Sequence, residues 1–163
     1  MMSLHSFSEW LAATSASNHI RETAWIVPAV QSVHILAICV TFASVLLLDL
    51  RLLGVLGRSE PVSAYIRRYI PWTVIALLVL MFSGIILIVG EPDRTVENWV
   101  FWTKMTLLGS GLALTALFIA PFLRDRTYWD LDRRRVAAMA FAIVSLIIWS
   151  TIVVCGRWIA YVI

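Results

Sequence analysis

Four long apolar runs separated by short charged segments dominate the pattern of the chain. They lie at about residues 25–48, 70–89, 104–123 and 136–155. About 20 apolar residues wound as an α-helix, at about 1.5 Å per residue, cross a hydrocarbon core of about 30 Å. A helix also satisfies its own backbone hydrogen bonds, as lipid requires. The pattern therefore predicts an all-α protein with four transmembrane helices.

The segment before the first run has a weaker pattern of its own. Phe7, Trp10 and Leu11 recur at helical spacing among serines and an acidic residue, which is typical of a short amphipathic helix on a membrane surface. The loops between the runs are short, so consecutive helices should pack antiparallel. We predict an up-down four-helix bundle with a short N-terminal interfacial helix, forming one domain over residues 1–163.

Composition agrees with a membrane protein and excludes several function classes. Hydrophobic residues make up 61% of the chain and charged residues 14%, against about 25% charged in soluble domains. The net charge of +3 comes from basic residues beside the apolar runs, so we predict a lipid bilayer and no nucleic acid as partner. The sequence shows no Ser/His/Asp set, metal-ligand cluster or phosphate-binding glycine loop, so we expect no stand-alone catalytic centre.

The distribution of basic residues predicts the orientation. The first and third loops hold nine Lys and Arg, whereas the N-terminal segment, the second loop and the tail hold four. Loops rich in Lys and Arg stay in the cytoplasm, so both termini should face outside. The nine are Arg51, Arg58, Arg67, Arg68, Arg124, Arg126, Arg133, Arg134 and Arg135, and the four are Arg21, Arg94, Lys104 and Arg157.

His34 is the ionisable residue inside the first run. Counted from Trp25, it lies about 13 Å into the membrane at about 1.5 Å per residue. Gln31, Thr41 and Ser44 fall near the same helix face, and a polar stripe on a spanning helix marks the side packed against other helices. Because ionisable side chains are costly to expose to lipid, we predict that His34 points into the bundle.

Two further patterns carry structural expectations. Gly109, Ala113 and Ala116 form a small-xxx-small stripe, which predicts close helix packing in the third span. Asp49 and Arg51 follow the first run and are expected at the membrane interface, where they would hold the helix end in place.

A buried histidine in a helical bundle suggests redox chemistry. Neutral imidazole is a common axial ligand of b-type haem, so His34 is the candidate metal ligand, and it could equally hydrogen-bond a quinone carbonyl. Arg157 and Lys104 lie at the outer mouth and would hold propionates. A second haem ligand would be His19, a methionine of the bundle, or the His34 of a second copy. Gln31 is the candidate hydrogen-bond partner of His34.

Other functions remain open at this stage. His34 could instead be a structural residue bonded to Gln31, a serine or a threonine, in a membrane anchor or assembly subunit without a cofactor. A small-solute or ion transporter would need acids within the membrane, and none lies within a predicted span. As partners we expect a second copy of the chain, forming a homodimer, or the other subunits of a larger membrane complex.

Several short motifs resemble an uncharacterised family of small bacterial four-helix membrane proteins. The resemblance implies four spans in a bacterial cytoplasmic (inner) membrane and no known reaction. Members often carry a second histidine near the end of the third span, where this chain has none in residues 116–121. The matching motifs are Val33-His34, the DLRLLG stretch at 49–54, Pro61-Val62, Pro71, Gly84, Phe101 with Lys104, and the GRWIAY tail at 156–161.

Overall fold

The computed structural model describes residues 4–159 and 161, without the side chains of residues 93 and 94. Residue 160 of the tail motif therefore lies outside the described residues. The α-helices are α1 (Leu4–Ala12), α2 (Ser15–Glu22), α3 (Ile26–Leu52), α4 (Val62–Gly90), α5 (Pro92–Val96), α6 (Trp99–Arg124) and α7 (Arg135–Trp158). Two short 3-10 turns, Tyr128–Asp130 and Asp132–Arg134, precede α7.

Four of these helices, α3, α4, α6 and α7, are long and apolar enough to cross a membrane. Each of them extends beyond the predicted apolar run at one or both ends. The clearest case is α4, in which Pro71 lies inside the helix although it was expected to open the span. The turns before it form because Tyr65 and Ile66 are buried against the other helices, at 5% and 1% exposure.

The four long helices pack as a bundle in which α3 is central. It packs against both α4 and α7, and α6 packs against α7. Among the described residues, α4 and α6 share no comparable interface. The spatial order is therefore α4, α3, α7, α6. The predicted packing of consecutive spans holds for α3 with α4 and for α6 with α7, but among the described residues it does not hold for α4 with α6.

The two ends of the bundle differ. We call one the basic end (residues 49–68 and 124–135) and the other the capped end (residues 4–25 and 90–99). At the capped end α1 packs against α5, where the Ser8 hydroxyl donates to Glu97 Oε1 at 2.7 Å. The next helix, α2, packs against α3 and α4. The predicted N-terminal interfacial helix is thus a pair of short helices.

The densest packing lies at the basic end. Phe118 stacks between Phe141 and Trp129, with ring centroids 4.2 Å and 4.4 Å away. The Trp129 indole also donates to the Phe118 carbonyl at 2.8 Å, which fixes the third loop to α6. The buried residues of this cluster are Leu48, Leu52, Val62, Tyr65, Ile66, Phe118, Phe122, Ala138 and Ala142.

The predicted packing stripe of the third span is on the wrong face. A Cβ on Gly109 would have no atom within 4 Å, and Ala113 and Ala116 are exposed. Gly111 instead faces α7, where a Cβ would lie 3.2 Å from Ile148 Cγ2. Residues 109 and 111 are about 200° apart around a helix, so only one of them can face the neighbour. The spacing of small residues along the sequence did not indicate which of the two glycines faces the neighbouring helix.

This contrast gives a paired test of the packing. We expect Gly111→Leu to destabilise the bundle by about 1–3 kcal/mol, because the added carbons overlap Ile148 and Trp149. Gly109→Leu, two residues away, should have little effect. Thermal unfolding of the two variants in the same detergent measures the difference. Equal midpoints would contradict the observed α6–α7 interface.

Candidate functional site

His34 is oriented by a serine of the neighbouring helix. Its Nδ1 lies 2.7 Å from Ser83 Oγ, and Ser83 is 5% exposed. The Ser83 hydroxyl also lies 2.6 Å from the Val79 carbonyl, so its one hydrogen is donated there. Ser83 Oγ must therefore accept from His34 Nδ1–H, and the lone pair of the neutral imidazole is on Nε2.

Local sequence explains why the ring fits against α4. Ser83 bonds back to the carbonyl four residues earlier, as serines in membrane helices often do. Gly84 follows it, and a Cβ at Gly84 would lie 3.6 Å from His34 Cε1. That distance is an ordinary van der Waals contact, so the imidazole lies directly against the Gly84 backbone. Within the described part of the chain, His34 Nε2 has no hydrogen-bond partner.

Lys104 approaches His34 from α6. It lies five residues after Trp99, about 7.5 Å inside the helix at about 1.5 Å per residue. Its Nζ is 3.7 Å from the position of a Cβ on Gly156, so the side chain lies against α7. Among the described residues, no hydrogen bond joins this ammonium to the His34 imidazole directly. No described carboxylate or carbonyl pairs with this ammonium.

The bundle is less tightly closed around these two side chains than at the basic end. His34 and Lys104 are half-buried, and so are Met105, Cys155 and Gly156 near them on α6 and α7. At the basic end, in contrast, Phe118 and Phe122 are almost fully buried. Both side chains are therefore partly enclosed by the helices, without being sealed as Phe118 and Phe122 are.

The other predicted site residues do not join this pair. Gln31 is exposed, and of the three partners expected for His34 (Gln31, a serine or a threonine) the one observed is a serine, Ser83. Arg157 donates to the Tyr161 hydroxyl at 2.6 Å and lies over the Tyr161 ring at 5.1 Å. His19 is exposed on α2. The site thus consists of His34, Lys104 and Ser83.

An apolar groove lies on the other side of Ser83. It runs between α3 and α4 with a volume of about 340 Å³ and opens to the surface of the bundle. This volume is at the lower end for small-molecule sites. An aliphatic chain, rather than a large ring system, suits its shape and lining. Its walls are Ala29, Val30, Val33, Val79, Phe82, Ser83 and Ile86.

These residues fit a haem only in part. His34 offers a free Nε2 with its Nδ1 anchored, as metal-ligating histidines usually do. No second imidazole is near, because His5 lies by Glu97 and Glu9, at 3.4 Å and 3.8 Å, and His19 is exposed. A haem held by two histidines of one chain therefore does not fit the described residues.

Asp49 is a second polar residue of interest, because its burial was not expected from the sequence. The residue is 0% exposed, although it was expected at the interface. The burial follows because α3 continues to Leu52, which places Asp49 on the helix face shared with buried Val45 and Leu52. Ser145 of α7 lies beside the carboxyl, yet neither oxygen has a hydrogen bond of normal geometry. An acid does therefore lie within a membrane-spanning helix.

The fold and site define a multi-pass helical membrane protein with a polar site inside the bundle. Residues 7–162 match the model of DUF6644, described as a family of unknown function. The chain belongs to this family. No curated protein and no solved structure matches it.

Asp49 leads to a prediction that a substitution in the core stabilises the protein. We expect Asp49→Leu to raise the free energy of unfolding by about 1–3 kcal/mol, because it removes two buried oxygens that lack partners. Asp132→Leu, at an exposed acid of the third loop, serves as the control and should not stabilise the protein. Thermal or denaturant unfolding in detergent measures both. A clear loss of stability in Asp49→Leu would show that the carboxyl makes a required interaction.

Proposed function

We propose that this protein is a membrane subunit of a redox system and binds a quinone headgroup at His34 and Lys104. The observation that carries the proposal is the anchored imidazole. The hydrogen bond to Ser83 leaves Nε2 as an acceptor that faces away from α4. Lys104, whose ammonium has no hydrogen-bond or ion-pair partner among the described residues, supplies a cationic donor near the same end of the bundle.

An acceptor and a cationic donor match the two oxygens of a quinone ring. A quinol hydroxyl can donate to Nε2, and a carbonyl or phenolate oxygen can accept from the Lys104 ammonium. Hydrogen bonds that involve a charged group are roughly twice as strong as neutral ones. They gain further strength in a site of low dielectric constant inside a membrane.

The surroundings favour a ligand that comes from the bilayer. Quinones carry an aliphatic tail, and the groove beside Ser83 is lined by apolar side chains and opens to the surface of the bundle. Phe82 and Ile86, two of the lining residues, are exposed where the bilayer would surround α4. A headgroup between the helices with its tail along α3 and α4 would use both features.

A b-type haem is the second candidate, favoured by the same free Nε2 with an anchored Nδ1. Lys104 would then pair with a propionate. The second axial ligand would be a methionine of the bundle or would come from another copy of the chain or another subunit, and the last two make a homodimer or a larger complex part of this version. A bound haem would provide one-electron transfer, while His34 would hold its iron and Ser83 would orient the ring.

We also infer the orientation from the basic end. Nine of the thirteen Lys and Arg lie in the two loops of that end, which places it in the cytoplasm of a bacterial inner membrane with both termini outside. A C-terminal reporter enzyme that folds only outside the cytoplasm should be active, and the same reporter inserted after Arg58 should be inactive. The reverse pattern would invert the topology.

The test of function is ligand binding to the purified protein in detergent. We expect a short-chain ubiquinone or menaquinone analogue to bind, with affinity falling about tenfold or more in His34→Ala and in Lys104→Met, because each loses a hydrogen bond worth about 1–3 kcal/mol. His19→Ala and Arg157→Gln are the matched controls and should bind as the wild type does. Tryptophan fluorescence quenching measures all five proteins.

The visible spectrum separates the two candidates. A Soret band that is lost in His34→Ala but kept in His19→Ala would support the haem version. A colourless protein that binds the quinone analogue would support the quinone version. A colourless protein that binds no quinone, or equal losses in the site and control variants, would overturn the proposed function.

A further inference from the structure

Two arginines from different loops converge on Gly54 at the basic end. Arg58 donates from Nε to the Gly54 carbonyl. Arg58 Nε and Arg135 Nη2 each lie 3.8 Å from the point where a Cβ on Gly54 would stand. Gly54 has φ +72°, the left-handed conformation that favours glycine. We call Arg58 and Arg135 the arginine pair.

The arginine pair has no counter-charge of its own. The nearby acids are engaged elsewhere, because Glu60 pairs with Arg68 at 3.1 Å and Asp130 accepts from the Ser63 amide at 3.0 Å. Within residues 4–159 and 161, no carboxylate lies within ion-pair distance of either guanidinium of the pair. Each guanidinium carries five N–H donors, and Arg58 uses one of them on Gly54.

Apolar side chains are exposed directly beside the arginine pair. Val55 and Leu56, which follow Gly54, are 69% and 40% exposed, and Val136, which follows Arg135, is 79% exposed. A ligand that satisfies both features needs an anionic head and an apolar body. Free phosphate has only the first of these, whereas a phospholipid has both.

We propose that the arginine pair binds the phosphate group of an anionic phospholipid, whose acyl chains lie against Val55 and Val136. Both guanidiniums lie 3.8 Å from one point, so a single phosphate can contact both. Arginine matches phosphate geometry through paired N–H donors, which makes it well suited to such a site. Glycine is favoured at position 54 because the backbone there is left-handed, and this turn holds its carbonyl toward Arg58. The proposal does not depend on the function of His34.

The test compares two variants that remove the same charge from the same end. R58Q/R135Q removes the arginine pair, and R124Q/R126Q removes two other arginines of the basic end, where Arg126 lies over the Phe122 ring at 5.2 Å. Native mass spectrometry of the detergent-purified proteins measures retention of added phosphatidylglycerol and of phosphatidylcholine with the same acyl chains. Thermal unfolding of each variant checks that it is folded.

We expect the wild type to retain phosphatidylglycerol in preference to phosphatidylcholine. R58Q/R135Q should lose affinity by about tenfold or more, since paired contacts to one phosphate are stronger than the general attraction of an interfacial arginine to an anionic surface. R124Q/R126Q should bind nearly as well as the wild type. R58K/R135K keeps the charge but loses the paired donors, and should fall between the two. If R58Q/R135Q does not fold, R58K/R135K alone carries the comparison.

Three results would overturn the proposal. Equal losses in R58Q/R135Q and R124Q/R126Q would mean that the whole basic end acts as a diffuse positive surface. Equal retention of the two lipids by the wild type would mean that the headgroup charge is not recognised. Displacement of bound phosphatidylglycerol by millimolar inorganic phosphate, together with direct phosphate binding, would assign the arginine pair to a free anion.

Discussion

A polar side chain inside a membrane must find its partners within the protein, and the arrangement of this bundle depends on that constraint. His34 meets it with one hydrogen bond to Ser83, which also fixes the tautomer of the imidazole. The same bond joins α3 to α4 near the capped end. Because Ser83 uses its hydrogen on its own helix, His34 is left with an unused acceptor on Nε2. The hydrogen-bonding groups that the site can offer to a ligand follow from this one hydrogen bond.

The two ends of the bundle use polar residues in different ways. Near the capped end, His34 and Lys104 are half-buried and keep unpaired polar atoms beside an open region of the bundle. Toward the basic end, Asp49 is enclosed by tightly packed helices and has no partner. An unsatisfied buried carboxyl is costly, and strained or unsatisfied groups of this kind concentrate at functional positions. The basic end also carries the arginine pair, which converges on Gly54.

The candidate site could be predicted only in part from the sequence. A lone histidine in a long apolar run is visible without coordinates, and so is a lysine near the start of another run. The hydrogen-bond partner of His34 is not visible without coordinates, because helical spacing is compatible with either Gln31 or Ser83 lying next to the imidazole. Arg157 stands at the same membrane level as Lys104, but its guanidinium turns to Tyr161. Which side chains meet depends on how neighbouring helices are rotated toward each other. The periodicity within one helix carries no information about that rotation.

The sequence by itself determined that four apolar helices cross a bilayer, that short loops make neighbours antiparallel, and that charge is concentrated at one end. These properties follow from local composition and from the length of each run. Only the tertiary structure decided that α3 is central, that Gly111 rather than Gly109 faces α7, and that Asp49 is enclosed. The physical reason is that rotation of each helix about its axis, and the choice of its neighbour, arise from packing between distant segments of the chain.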